Sequence, residues 1–260
     1  MTLVLAGSLL AGCSAKGADD GSSRRTASPA HTDSPKAAAP PSGGSSAAPA
    51  FTPDADLVPR TAKDGRELAD SVVFAPRDWG RGYVAQDPAA SAQGTWPALD
   101  RDCRWERQKL PRGVLASLSR YSRQPAGGGK GEVKVTAAAT VHSAALGADE
   151  QLSTTLEEAL RCPEQQPRSG ERITGLNSLG TPFGAREQEY ADDSVLEAGQ
   201  YVGKGGTAQP YLWMVARSGT VVVAVSVTGG KGHTQEELLP LGSNALAKML
   251  VRVQQQLKEK

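Results

Sequence analysis

The most defined chemistry in this chain belongs to a single thiol. Cys13 follows Leu10-Ala11-Gly12 at the end of an apolar run that begins at Leu3, which is the arrangement of a bacterial lipobox. The small residues Ala11 and Gly12 let extended backbone enter a signal peptidase, and the Cys13 thiol then takes a diacylglyceryl group and becomes the mature N-terminus. The apolar run is too short to cross a bilayer as a helix, so residues 1–12 read as a signal peptide. Met1 and Thr2 lead into it without the Lys or Arg of a secretory signal, and we expect a start further upstream or a trimmed charged end.

Cys103 and Cys162 complete a count of three cysteines. In an oxidising extracytoplasmic compartment they suit one disulfide, and closing so long a loop contributes roughly 4 kcal/mol on chain-entropy grounds. Other chemistry is thinly represented. Three glycine-lysine clusters, at 127–131, 203–206 and 229–232, lack the spacing and the following Ser or Thr of a phosphate loop. The third is followed by Thr234 and Glu237 at capping-box spacing, so a helix start beside Lys231 and His233 is a candidate anion site, with an ordinary capped turn as the alternative.

The histidines are His31, His142 and His233, too few for a zinc site without distant carboxylates, and we expect no metal and no cofactor. Adjacent carboxylates occur at Glu157-Glu158, Asp192-Asp193 and Glu236-Glu237. A glycosidase pair must face across a sugar, whereas Glu157 and Glu158 are expected on the solvated side of a helix. With no G-x-S-x-G elbow either, no catalytic residue is assigned. Four tryptophans, Trp79, Trp96, Trp105 and Trp213, fit core packing first and an aromatic platform second. Trp213 shares a strand face with Tyr211 and Val215, and Trp96 stands in the least periodic region, so these two join Lys231 and His233 as candidate ligand residues. A net charge of +1 leaves no field for nucleic acid or for an anionic membrane.

The elements that must position these groups lie in a single stretch. Residues 13–55 are rich in Ala, Ser, Pro, Gly and Thr with cancelling charges, and read as a disordered tether spanning on the order of 35 Å. Residues 56–260 suffice for one core. Leu68 to Phe74 forms a short first element closed by Pro76, and Trp79 to Trp105 reads as irregular chain pinned by Cys103. Val114 to Tyr121 fits a helix or a strand, and Glu132 to Val141 a strand. Asp149 can cap a helix with Leu152, Leu156, Ala159 and Leu160 on its apolar stripe. Tyr211 to Ala216 and Thr220 to Thr228 form a hairpin turning at Arg217-Ser218-Gly219. After Pro240, Ser243 can cap a last helix carrying Leu246, Met249, Leu250, Val253 and Leu257. The pattern is α+β, with no repeat and no regular strand-helix alternation.

This layout resembles the extracellular sensor domain of actinobacterial PknH-type serine/threonine kinases and the lipoproteins that share its PsbP-like fold. The resemblance rests on four pieces: an early apolar element followed by Pro76-Arg77-Asp78-Trp79, Cys103 beside irregular chain, a strand-helix unit ending Ala159-Leu160-Arg161-Cys162, and the closing valine strand with its helix. The kinase sensor domains carry two disulfides, whereas this chain has cysteines for one besides Cys13. The resemblance implies an antiparallel sheet flanked by helices in a single α+β domain behind the tether, with a cleft and no catalytic residue. The leading expectation is therefore a non-enzymatic, lipid-anchored sensor or binding module on the extracytoplasmic face of the membrane, with a small-molecule or protein ligand. A cell-envelope hydrolase or transferase and a structural accessory of a membrane or secretion partner are the alternatives.

Overall fold

A computed structural model describes residues 51–258, so Cys13, the signal peptide and most of the tether lie outside the described residues. Two helices come first, α1 (Ala62–Val72) and α2 (Pro76–Trp79). They precede β1 (Val84–Ala90), β2 (Thr95–Leu99), β3 (Trp105–Lys109), β4 (Val114–Gln124) and β5 (Val133–His142). Helix α3 (Ala145–Arg161) leads to β6 (Arg172–Ser178), α4 (Glu187–Tyr190), β7 (Asp193–Val202), β8 (Ala208–Ser218), β9 (Val221–Thr228) and α5 (Gln235–Leu257). Seven strands form one antiparallel sheet in the order β1-β4-β5-β9-β8-β7-β6, and β2 and β3 form a separate hairpin. The fold is α+β, an antiparallel sheet flanked by helices.

The centre of the sheet is buried on both faces. On one face Val133, Val135, Val221, Val223, Val225 and Val227 meet Leu212 and Met214 and pack beneath α1 and α5. The period-two alternation of β9 is what delivers four valines to that side. Helix α5 presents Leu246, Met249, Leu250, Val253 and Leu257 to them, all almost inaccessible. It approaches closely because Gly242 has no side chain: a Cβ there would stand 2.6 Å from Met214 Cε. On the other face Val195, Val215, Val222 and Ala224 pack under Ala148 and Leu152 of α3.

Local rules account for several element ends. Thr61 and Asp64 form a reciprocal capping box on α1, and Thr234 and Glu237 form another on α5. The last hairpin turns at Gly219, whose φ of 58° is the left-handed conformation that glycine adopts without a Cβ penalty. Asp192 fastens that turn by accepting the Gly219 N–H at 2.7 Å and pairing with Arg217 at 3.0 Å. Packing begins ahead of Asp56, since Phe51 rests on the core and the Asp54 N–H donates to the Leu257 carbonyl at 2.8 Å.

Several expectations are corrected. The chain between Trp79 and Trp105 is not irregular: β1 and β2 lie within it and β3 starts at Trp105. Pro88 and Pro97 sit inside these strands, and β1 is an edge strand whose residues are mostly exposed, so no alternation marks it. Pro76 does not close the first element but opens α2 as its first helical residue, where its missing N–H costs nothing. Val114 to Tyr121, open between helix and strand in the sequence, belongs to strand β4. Ser243 caps nothing, because α5 already runs from Gln235 through Pro240. An interior proline costs on the order of 3 kcal/mol in a helix, and the buried stripe that includes Leu238 and continues beyond it outweighs that cost.

Helix α3 starts at Ala145, with no side-chain cap from Asp149, and its buried stripe is Ala148, Leu152 and Ala159. Leu156 and Leu160 point outward, at 39% and 85% exposure. That rotation turns Glu158 inward, against the expected solvated position. It approaches Glu197 of β7, which is 2% exposed and has one carboxylate oxygen without a hydrogen-bond partner. Burial, reinforced by Glu158, raises Glu197 to about 7, and burial likewise raises Glu158 to about 7, partly offset by Arg161.

Cys103 and Cys162 are bonded, joining the loop before β3 to the end of α3 across a separation of 59 residues. Two outcomes are expected. Thiol labelling of the denatured, unreduced protein should find neither cysteine, and replacing both with Ser should cost up to about 4 kcal/mol in denaturant unfolding; labelling of both would contradict the bond. For Glu197, the folded state holds its proton more tightly than an unfolded glutamate near 4.5, so stability falls as pH rises from about 4.5 to 7. Glu197→Gln should therefore be more stable than wild type by about 3 kcal/mol at pH 8 and nearly equal to it at pH 4. Parallel pH profiles for the two proteins would refute that coupling.

Candidate functional site

Helix α3 covers only part of its face of the sheet. Over the remainder stands the β2–β3 hairpin, and between hairpin and sheet a cleft of about 670 Å³ opens. That volume falls in the range of small-molecule sites. The floor is formed by outward positions of the central strands, among them Tyr121, Thr136, Ala138, Tyr211, Trp213 and Ser226. Pro97, Trp105 and Arg107 form the roof, Gln86 and Pro88 of β1 close one side, and Arg168 and Glu171 close the other.

The roof is held at its root by several bonds. Beside the disulfide, the Gln166 N–H donates to the Cys103 carbonyl at 2.8 Å, and the Trp105 N–H donates to the Gln166 carbonyl at 3.0 Å. Trp105 Nε1 donates to Gln165 Oε1 at 2.7 Å. These bonds set the indole of Trp105 above that of Trp213, with ring centroids 6.4 Å apart and planes inclined by 58°. Such tilted pairs place ring edges against ring faces and are favourable beyond the area they bury. Tyr211 and Tyr201 extend the aromatic wall, and burial raises the phenol pKa of both, so each keeps its proton at neutral pH.

Cations and anions both reach the cleft. Lys134 Nζ lies 5.8 Å from the centre of the Tyr201 ring and 3.9 Å from Glu132. Arg107 is bound to neutral groups: its Nε donates to Thr95 Oγ1 at 3.1 Å, one terminal nitrogen to the Thr95 carbonyl at 2.9 Å, and the other to Ser119 Oγ at 3.4 Å. Burial lowers its pKa, partly opposed by Tyr121, and a guanidinium so placed remains charged. Of the carboxylates in the lining, Glu106 is exposed and Glu171 sits beside Tyr201. The perturbed pair Glu158 and Glu197 lies outside the lining. The arrangement can hold an apolar or aromatic body and orient a polar end.

The candidate residues from sequence are not gathered together. Trp213 stands in the floor of the cleft, whereas Trp96 alternates away from Pro97 on β2 and does not line it. Lys231 and His233 belong to the turn before α5. There the Lys231 carbonyl accepts the Gly131 N–H at 2.7 Å, and His233 lies 3.2 Å from the Gly131 carbonyl and 3.7 Å from Glu237. At that helix start Glu237 itself supplies the negative charge, paired with Lys130 at 2.7 Å. Trp105 was named only among the four tryptophans that could form a platform, and Arg107, Tyr121 and Tyr201 escaped as site residues in the reading of the sequence. Trp105 and Arg107 are two residues apart on one strand, a signal visible only once that segment is known to be a strand.

No family model and no curated protein sequence matches the chain. Solved structures do. A chain described as an uncharacterised protein (Rv0999 ortholog) from Mycobacterium smegmatis aligns with a TM-score of 0.30 at 13% identity, over 55% of this chain and 69% of that one. The extracellular domain of PknH from Mycobacterium tuberculosis aligns with a TM-score of 0.50 at 14% identity, over 79% of this chain and 99% of that domain. The fold of this protein is thus similar to that of the PknH extracellular domain.

Proposed function

We propose that this protein is an extracytoplasmic binding module, anchored to the membrane through a lipid on Cys13, that holds a small ligand in the cleft beneath the β2–β3 hairpin. The observation that carries the reading is the aromatic cleft itself. It is roofed by Trp105 and floored by Trp213, and a disulfide fastens its roof to α3. Binding fits the site better than turnover does, because none of the carboxyls whose pKa burial raises, Glu158, Asp193 and Glu197, is among the residues that line the cleft. The fold shared with an extracellular domain and a disulfide suited to oxidising surroundings support the placement outside the cytoplasm. The lipobox ending at Cys13 supports the anchor.

Two measurements test the two halves of this reading. Expressed with a complete signal segment, the wild-type chain should partition into the detergent phase and Cys13→Ser should not; equal partitioning removes the anchor. For the cleft, the neutral fluorophore N-phenyl-1-naphthylamine should bind the full chain saturably with enhanced emission. Trp213→Ala should weaken that binding about tenfold, since an aromatic wall of this kind is worth about 1 kcal/mol or more. An unsaturable signal, unchanged in the variant, would show that the cleft is not a binding site.

A further inference from the structure

Arg107 gives the cleft a chemical preference. Its guanidinium is half-buried at the roof, and it spends three N–H groups on Thr95 and Ser119, all neutral acceptors. Among the described residues no carboxylate lies within ion-pair distance of it. Other arginines at comparable depth are neutralised: Arg217 pairs with Asp192 at 3.0 Å, and Arg252 with Asp78 at 2.8 Å. A guanidinium offers five donors in a fixed fork suited to carboxylate or phosphate, so Arg107 retains donors and a positive charge for something outside the chain. The lining it belongs to is mostly apolar, with Pro97 and Trp105 beside it on the hairpin and Tyr211 and Trp213 in the floor. Lys134 and Arg168 add positive charge to the same lining against Glu106 and Glu171.

We propose that the ligand of this cleft is an anionic amphiphile, its carboxylate or phosphate head held by Arg107 and its apolar body laid along Trp105, Trp213 and Tyr211. The proposal rests on the reading of the cleft as a binding site and adds the class of ligand. A neutral apolar ligand would leave a half-buried cation without a counterion, and a cationic one would be repelled by it. An anion makes charge-assisted hydrogen bonds there while its tail replaces water on the aromatic wall.

The test uses the intrinsic tryptophan emission of the full chain, titrated below micellar concentrations with decanoate, decyl phosphate, decanol and decylammonium. Decanoate, decyl phosphate or both should bind at least tenfold more tightly than decanol, and decylammonium weakest, with the stronger anion distinguishing a carboxylate from a phosphate ligand. Arg107→Gln should lower the ratio of anion to decanol affinity about tenfold, decanol measured in the same variant serving as the reference for the state of the cleft. Arg107→Lys, which keeps the charge, should retain the preference for anions over decanol even if the hairpin tolerates Gln poorly. Equal affinity for decanol and both anions, or an anion preference that survives Arg107→Gln intact, overturns this proposal and leaves the binding site standing. Failure of every probe, including the neutral fluorophore, removes the binding site and the ligand class with it.

Discussion

Burial of the central strands on both faces is the constraint from which the rest of the structure follows. β5, β8 and β9 carry apolar side chains in both directions, so neither side of the sheet centre can be left to water. Helices α1 and α5 cover one side together, with the 23 residues of α5 supplying a long continuous stripe. The other side has only the 17 residues of α3. Its stripe ends at Ala159, over Ile173 and Leu176, and the outward positions beyond it turn aromatic and polar. The cleft is the part of this face that no helix reaches.

What covers that remainder cannot stand alone. A two-stranded hairpin is marginal in water by itself, and β2 and β3 bury little of their own surface. Covalent attachment at Cys103 and the backbone bonds to Gln166 hold it over the sheet. Cys103 adopts a φ of 60°, a left-handed conformation unusual for a residue with a side chain, and it is kept there by its bond to Cys162 and by hydrogen bonds on both sides. The gap stays open because its roof is anchored at the root and rests on aromatic edges, a surface that a ligand can replace with little rearrangement.

Charges within this frame fall into two groups. Arg217 and Arg252 are paired with carboxylates and tie elements together, Arg217 linking Asp192 and Asp149 and Arg252 reaching Asp78 while stacking over Phe74. Glu197, Glu158 and Arg107 are different, being withdrawn from water without an opposite charge that satisfies them. Withdrawal of this sort opposes folding. Glu197 lies on the face covered by α3, where burial raises its pKa. Arg107 lies in the roof of the cleft, where it faces the space a ligand would fill.

Strong local signals made part of this protein legible in its sequence. Four valines at alternate positions of β9, the turn at Gly219, the stripe of α5 from Leu246 to Leu257 and the pairing of Cys103 with Cys162 all follow from periodicity, turn chemistry or cysteine arithmetic. Each depends on residues close together in the chain or on a count. The lipobox expected at Cys13 would be a local pattern of the same kind, and it lies outside the described residues. The site was legible at Trp213 and Tyr211, which share a face of β8, and at Trp105 as one of four tryptophans that could form a platform. Its other half comes from β1, β2 and β3, where Pro88, Pro97 and exposed positions erase the alternation that marks a strand, and from the segment after Cys162. Which side of α3 faces the sheet was also undecided locally, since Leu156 and Leu160 are as apolar as Leu152, and only packing against Val195 and Ile173 turned Glu158 inward. Tertiary structure alone brought Trp105 over Trp213 and left Arg107 without a partner, because those relations join segments more than 100 residues apart through the fold of the sheet and one disulfide.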